Sequence, residues 1–310
     1  MASKVVVDAH CDTLSVLGDQ RLRKNLGHVD IERMQIAGIT VQFFAVFVAP
    51  VYRGRELAMA LEQIDKFYRE LESDPDIKPV WCVRELKDCI TRGHQAAVLS
   101  VEGGDVLCGS IAVLRMLYRL GVRCLTLTWN HRNELADGVG EISSNGGLTD
   151  FGRLVVKEMN DLGMLIDVSH LSEKGFWDVL KISTQPVIAS HSNAQAICDH
   201  PRNLNDKQIE ALAAKGGVMG LSFVPQFVDP NHPCLSRYLD HMDHIVNLAG
   251  ADCLGFGSDF DGVDKTIEGM EDVSRFTSLY HELKNRGYCE TDVEKILGQN
   301  FLRVIKNVWY

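Results

Sequence analysis

Eight short β-rich runs, mostly separated by helical patterns, constrain this 310-residue chain more than any other feature. They cover residues 5–12, 40–48, 97–102, 124–130, 165–170, 187–191, 218–224 and 253–259. Each is almost continuously apolar rather than alternating, the pattern of parallel strands covered on both faces. Helical periodicity marks 56–72, 111–120, 151–162, 173–181, 206–215, 235–248, 273–285 and 292–308. Asn205 with Gln208, and Thr291 with Glu294, carry the capping-box pattern that opens a helix. Eight βα units with no composition break, linker or close repeat predict one α/β domain over residues 1–310, a single (β/α)8 TIM barrel. A doubly wound open sheet is the alternative, because periodicity does not report closure.

In such a barrel the C-terminal strand ends all face one mouth, where active sites are built. His10, Asp12, Glu102, His170, His191 and Asp259 stand at those ends. An imidazole and a carboxylate two residues apart on a strand point to one side, so His10 and Asp12 suit a chelate for zinc or a similar ion. A polar strand end capping a loop is the other reading of that pair alone. Glu102 lies in Ser-Val-Glu-Gly-Gly, where the glycines allow a sharp turn and the two carboxylate oxygens suit a bridge between cations. His170 and His191 each end an apolar run; singly they read as core histidines, together as two nitrogen ligands. Cys11 faces the opposite way and reads as a buried thiol.

Other classes are disfavoured. A net charge of −10 leaves no basic excess for nucleic acid. Nine scattered cysteines without a CxxC pair read as reduced thiols. No apolar stretch reaches the roughly 18 residues that span a bilayer. The start does not read as a signal peptide, nor 301–310 as a lipid-anchor tail. The expectation is a soluble cytoplasmic enzyme with no nucleic-acid or membrane partner. The segment 240–244, Asp-His-Met-Asp-His, has metal-like composition but helical periodicity, and reads as the polar face of a helix. His28, His94, His200, His232 and His281 read as solvated. No GxSxG elbow appears, and Gly255-Phe-Gly257 is only half a dinucleotide motif.

Taken together, Asp8-Ala-His-Cys-Asp12, Val101-Glu-Gly-Gly104, Leu165-Ile-Asp-Val-Ser-His170, Ser190-His-Ser192, Arg202-Asn203 and Gly257-Ser-Asp-Phe-Asp-Gly262 resemble the membrane (renal) dipeptidase family of the amidohydrolase superfamily. The resemblance runs in order over nearly the whole chain. It implies a binuclear zinc centre with His10 and Asp12 on one ion, His170 and His191 on the other, and Glu102 bridging. It also implies that Arg202 binds the substrate and that Asp259 is the catalytic acid–base. The implied activity is hydrolysis of dipeptides with a free C-terminal carboxylate, L-Xaa-D-Yaa included, by a hydroxide shared between two Zn²⁺ ions. A homodimer is common in the family. Where the family carries a substrate-binding histidine after Leu-Thr-Leu-Thr, this chain has Trp129, with His131 two residues on. The expectation is that His131 supplies the donor to the carbonyl oxygen while Trp129 packs a substrate side chain; the alternative is that His131 anchors its loop. Competing functions are another amidohydrolase chemistry, such as N-acyl-amino-acid hydrolysis, and a catalytically silent metal-binding protein. Many of the former use a carboxylated lysine on the fourth strand, and the run 124–130 has no lysine.

Overall fold

A computed structural model describes residues 4–144 and 146–309. Its strands are β1 (Val7–Asp8), β2 (Val41–Phe47), β3 (Ile77–Pro79), β4 (Gln95–Glu102), β5 (Val122–Thr126), β6 (Leu165–Asp167), β7 (Ile188–Ala189), β8 (Val218–Leu221) and β9 (Leu254–Phe256). All their pairings are parallel. β1 pairs with β2 and β9, β2 pairs with β4, and β4 through β9 pair in order, so eight strands close a ring. The closed (β/α)8 barrel therefore stands, and the open sheet does not. The eight runs read from sequence are these ring strands with their C-terminal extensions.

β3 is the strand that periodicity missed. It pairs only with Gln95–Ala97, while β5 takes the same edge of β4 from Leu99 onward, so β3 lies at the N-terminal rim outside the ring. Helices Ile31–Ala37 and Val83–Thr91 were also unforeseen. The Asn205–Gln208 capping box forms with both of its reciprocal bonds. The Thr291–Glu294 box does not, because the helix begins at Glu290 with Cys289 as its N-cap. Nor is 292–308 one regular helix, since a π-turn spans Lys295–Gln299. Gly298 presses there on β1, where a Cβ would lie 2.6 Å from the Val5 carbonyl oxygen. A widened turn with glycine at its contact lets the backbone approach that closely.

Alternate residues of each strand serve two cores. Phe44, Val46, Leu99, Val101, Leu125 and Ile166 pack toward the surrounding helices. Val41, Phe43, Ala96, Val98, Leu165 and Val218 gather with Phe301, Val304 and Ile305 from helix Asn300–Val308. The Asn300 amide donates to the carbonyls of Ala251 (2.6 Å) and Leu254 (2.8 Å), and Arg303 donates to that of Gly216 (2.6 Å). These acceptors lie at the start of β9 and just before β8. The helix thus floors the N-terminal end of the barrel with hydrocarbon, and the polar strand ends are left to the opposite mouth.

Candidate metal centre

At that mouth three histidines and three carboxylates meet. The two oxygens of Glu102 are divided between two groups. Its Oε2 lies 3.5 Å from His10 Nε2, and its Oε1 lies 2.8 Å from His170 Nε2 and 3.6 Å from His191 Nε2. His10 Nε2 is 3.2 Å from Asp12 Oδ2. The Nε2 atoms of His170 and His191 converge to 2.8 Å, as two lone pairs aimed at one point would. Donor atoms of His10, Glu102 and His191, and likewise of His10, Asp12 and Asp259, lie within 4.8 Å of one another. The structure therefore brings together all six strand-end residues singled out by the sequence.

Hydrogen bonds behind the histidines set their tautomers. Ser190 donates its single hydroxyl proton to Asp167 Oδ2 (2.5 Å), so the 2.7 Å contact between its oxygen and His191 Nδ1 must be donated by the imidazole. His170 Nδ1 donates to Asn130 Oδ1 at 2.7 Å. Both rings then carry their proton on Nδ1 and present a bare Nε2 to Glu102, the form that ligates metals. Asp167 also accepts from Thr126 Oγ1 (2.6 Å), Ser169 N (3.0 Å) and Ser190 N (2.9 Å), tying β5, β6 and β7 together. Asp8 plays the matching part across β1, β2 and β9, accepting from Ser258 N and Oγ (both 2.7 Å) and Gln42 Nε2 (2.9 Å). Sequence reasoning missed Asp8, Asp167 and Asn130 as supports. A carboxylate inside an otherwise apolar strand was the available signal for the first two.

The electrostatics call for cations. Burial pushes Asp12 up to about 7 despite His10 beside it, and its Oδ1 is buried without a partner. Burial also raises Asp259, against the pull of His10. Burial opposes the charge on Glu102 as well, yet His10 beside it holds it well below the usual carboxylate range. Burial brings His170 down to about 4, with Arg202 adding to the effect, and keeps His191 neutral. Three buried carboxylates thus face the two neutral imidazoles and His10, whose burial disfavours its proton but whose neighbours Asp12 and Glu102 raise it well above the ordinary value, so titratable donors crowd in one place. That donor set fits divalent zinc, which takes imidazole and carboxylate ligands.

Backbone strain gathers at the same site. His170 (φ 65°) and Asp259 (φ 61°) are left-handed, a conformation that non-glycine residues rarely adopt and that clusters at functional sites. Gly262 closes over the acids, where a Cβ would fall 2.4 Å from Asp259 Oδ1 and 2.5 Å from Asp12 Oδ2. Asp261 points elsewhere, accepting from Thr13 Oγ1 (2.6 Å) and His28 N (2.5 Å). It clamps the loop, and His28, expected in solvent, accepts from Asp261 N (3.0 Å).

Arg202 is buried beneath the mouth. It donates to the His191 carbonyl (3.0 Å), its guanidinium lies 5.3 Å from the centre of the Phe227 ring, and its Nε has no partner. Burial lowers it to about 10 although Asp259 and Glu102 support its charge. Arg202 borders a cavity of ≈ 320 Å³ together with His170, Ser192 and Asn203, and His170 also borders a larger cleft of ≈ 980 Å³ with Asp12, Glu102, Asp259, Trp129 and Phe227. Trp129 is half-buried; its ring is 5.4 Å from that of Phe47 and 5.5 Å from that of His131. His131 is exposed and borders a neighbouring cavity that shares Phe47, Glu102 and Trp129 with the larger cleft. The 240–244 segment is helical, within Leu235–Ala249, but His241 is not on a polar face. It is fully buried, accepting from Ala194 N (3.1 Å) and donating to the Val228 carbonyl (2.9 Å). No helix among the described residues is long and apolar enough to cross a membrane.

The family model of membrane dipeptidases, peptidase family M19, matches residues 1–309. The dipeptidase verJ of Clonostachys rogersoniana is 35% identical over 296 residues, 91% of this chain and 76% of that protein. The dipeptidase tcpJ of Claviceps purpurea is 34% identical over 91% of this chain and 69% of its own length. Among solved structures, an M19 metallopeptidase, dipeptidase AC, superimposes with a TM-score of 0.90 at 29% identity, covering 99% of both chains. A metallopeptidase of Rhodobacter sphaeroides, liganded with a phosphinate mimic of L-Ala-D-Ala, gives 0.89 at 27% identity over 99% of this chain and all of that one.

Proposed function

The chain belongs to the membrane dipeptidase family, and from that premise we propose that it is a zinc-dependent dipeptidase acting on dipeptides with a free C-terminal carboxylate. The carrying observation is the buried set of His10, Asp12, Glu102, His170 and His191, with bare imidazole nitrogens turned to a carboxylate. His10 and Asp12 would hold one ion, His170 and His191 a second, and Glu102 both. Bound zinc supplies Lewis acidity at the scissile carbonyl and acidifies the attacking water.

The protein's own residues do the rest. Asp259 takes the proton from the attacking water at its carboxylate and returns it to the leaving amine. Its burial, which raises its proton affinity, suits a group that must both accept and release. Arg202 has its Nε free, and it fixes the substrate carboxylate by charge-assisted hydrogen bonds. A dipeptide fits such a site because one clamp sits a short reach from the reacting centre. L-Xaa-D-Yaa substrates belong to the proposal, supported by the L-Ala-D-Ala mimic bound by the Rhodobacter sphaeroides relative.

The test is turnover of L,L-, L,D- and D,L-dipeptides with zinc quantified in the same preparation. Activity that disappears with a chelator and returns with zinc is expected. Fewer than about one zinc per chain in an active preparation overturns the binuclear reading. Cleavage of amidated dipeptides as fast as free ones overturns the carboxylate clamp.

A further inference from the structure

Trp129, the residue that departs from the family pattern, borders two cavities. The reaction cleft and a second chamber of ≈ 470 Å³ both touch Trp129, Phe47 and Glu102. The two aromatic rings stand 5.4 Å apart between these spaces, and the indole lies 6.2 Å from the His170 ring. The second chamber also has the charged or polar side chains of Arg53, Glu56, His131 and Glu141 along its wall. The indole stands on a pinned backbone. A Cβ at Gly138 would lie 2.2 Å from the Trp129 carbonyl oxygen, and Gly140 N donates to the Asn130 carbonyl at 2.8 Å.

The order of strands says which part of a substrate meets this wall. Arg202 follows β7, and Phe227, against which it stacks, follows β8. Phe47 ends β2 and Trp129 follows β5, with Glu102 of β4 between them. In the ring these two groups lie on opposite sides of the mouth, with β6 and the His170 that follows it in between. A dipeptide whose carboxylate lies on Arg202 and whose carbonyl lies at the centre extends its N-terminal residue toward Trp129 and Phe47.

We propose that Trp129 and Phe47 form the wall that selects the N-terminal side chain of the substrate, admitting small or flat apolar groups and closing the polar chamber to longer ones. The inference rests on the dipeptidase reading and specifies the substrate class within it. An indole face offers wide apolar contact and a single N–H donor, so it rewards a flat hydrocarbon, gives the donor-only head of a lysine chain no acceptor and leaves the NH2 of a glutamine chain unpaired. Removing the wall would join the two spaces and let a long polar chain reach Arg53 and Glu141.

The experiment uses two substrate series on the zinc-loaded protein. One varies the N-terminal residue (Ala, Leu, Phe, Gln, Lys) before a constant D-Ala, and the other varies the C-terminal residue after a constant L-Ala. Relative to L-Ala-D-Ala within each protein, Trp129→Ala is expected to raise kcat/KM for the Gln and Lys substrates by about tenfold or more, the scale on which pocket shape discriminates. The ranking in the C-terminal series is expected to stay as in the wild type. Phe47→Ala opens the same wall from its other side and should shift the N-terminal series in the same direction, which keeps the proposal testable if Trp129→Ala does not fold. An equal change across the N-terminal series, or a reordering confined to the C-terminal series, overturns the proposal. Wild-type protein that cleaves neither series overturns instead the dipeptidase reading beneath it.

Discussion

Replacing Asp167 by asparagine should disable the centre without touching any of its proposed ligands. Asp167 Oδ1 accepts from two backbone N–H groups and Oδ2 from two hydroxyls, those of Thr126 and Ser190. An asparagine of the same shape keeps its oxygen under the backbone donors and turns an NH2 toward the hydroxyls. Both hydroxyls can rotate to accept; the Ser190 proton then has His191 Nδ1 within reach, while the Thr126 proton gives up its carboxylate acceptor. The stability loss is then the charge assistance of all four bonds together with the lost Thr126 acceptor, about 1 kcal/mol for each bond. Rotation of Ser190 has a second effect, because its proton now points at His191 Nδ1, 2.7 Å away. The imidazole must move its own proton to Nε2, the atom that faces Glu102 and His170. A protonated nitrogen cannot ligate, so zinc affinity should fall by about 100-fold, the upper end for a residue behind a ligand and equivalent to about 2.7 kcal/mol. Competition with a chromophoric chelator measures the affinity, and ¹⁵N spectra of the histidine side chains in metal-free protein report the tautomer. Wild-type affinity together with an Nδ1-protonated His191 in the variant would refute the reasoning.

Asp259→Asn should lower kcat by about 10²–10⁴-fold with zinc content retained, since the amide cannot accept a proton; Asp261→Asn should instead lower Tm, because it breaks the clamp on Thr13 and His28. Arg202→Ala should raise KM by an amount equivalent to about 2–5 kcal/mol while the zinc content stays constant, measured on a free dipeptide. The Asp229 carboxylate is held down to about 2 by the N–H groups of Asn231 and His232, with Arg237 adding to the effect. With a folded value below the ordinary one, its contribution is complete above about pH 4 and lost as the pH falls toward 2, so acid unfolding of Asp229→Asn should show a shallower dependence across that window. Phe301→Ala should cost about 3–5 kcal/mol in denaturant unfolding, as it empties the barrel floor beside Phe43.

What the chain's letters reveal follows the range of the physics behind them. Apolar runs report burial, so all eight ring strands were legible, and helix Glu56–Glu72 was legible to its bounds. The site was legible because a barrel converts strand ends into neighbours, and His10 and Asp259 needed nothing more. β3 was not legible: three residues ending in Pro79 carry too little pattern, and their partner edge is set by where β5 begins. His241 was misplaced because the charges around it dominated the reading, although its spacing from buried Tyr238 and Ile245 put it on the inner face. The supports behind the ligands depend on which hydroxyl meets which carboxylate across strands. No local pattern holds that information.

Closure of the ring between β1 and β9 also orders events in time. Ser258 donates to Asp8 across 250 residues, and the helix that floors the barrel follows β9 in the chain. Contacts of that separation form late, because loop closure must be completed before they return any free energy. His10 and Asp12 come from the earliest strand and Asp259 from the latest, so the five proposed ligands all precede Asp259 in the chain and the centre lacks its acid–base until the ring closes. During synthesis, hydrolytic capacity would switch on in one step when the circle shuts.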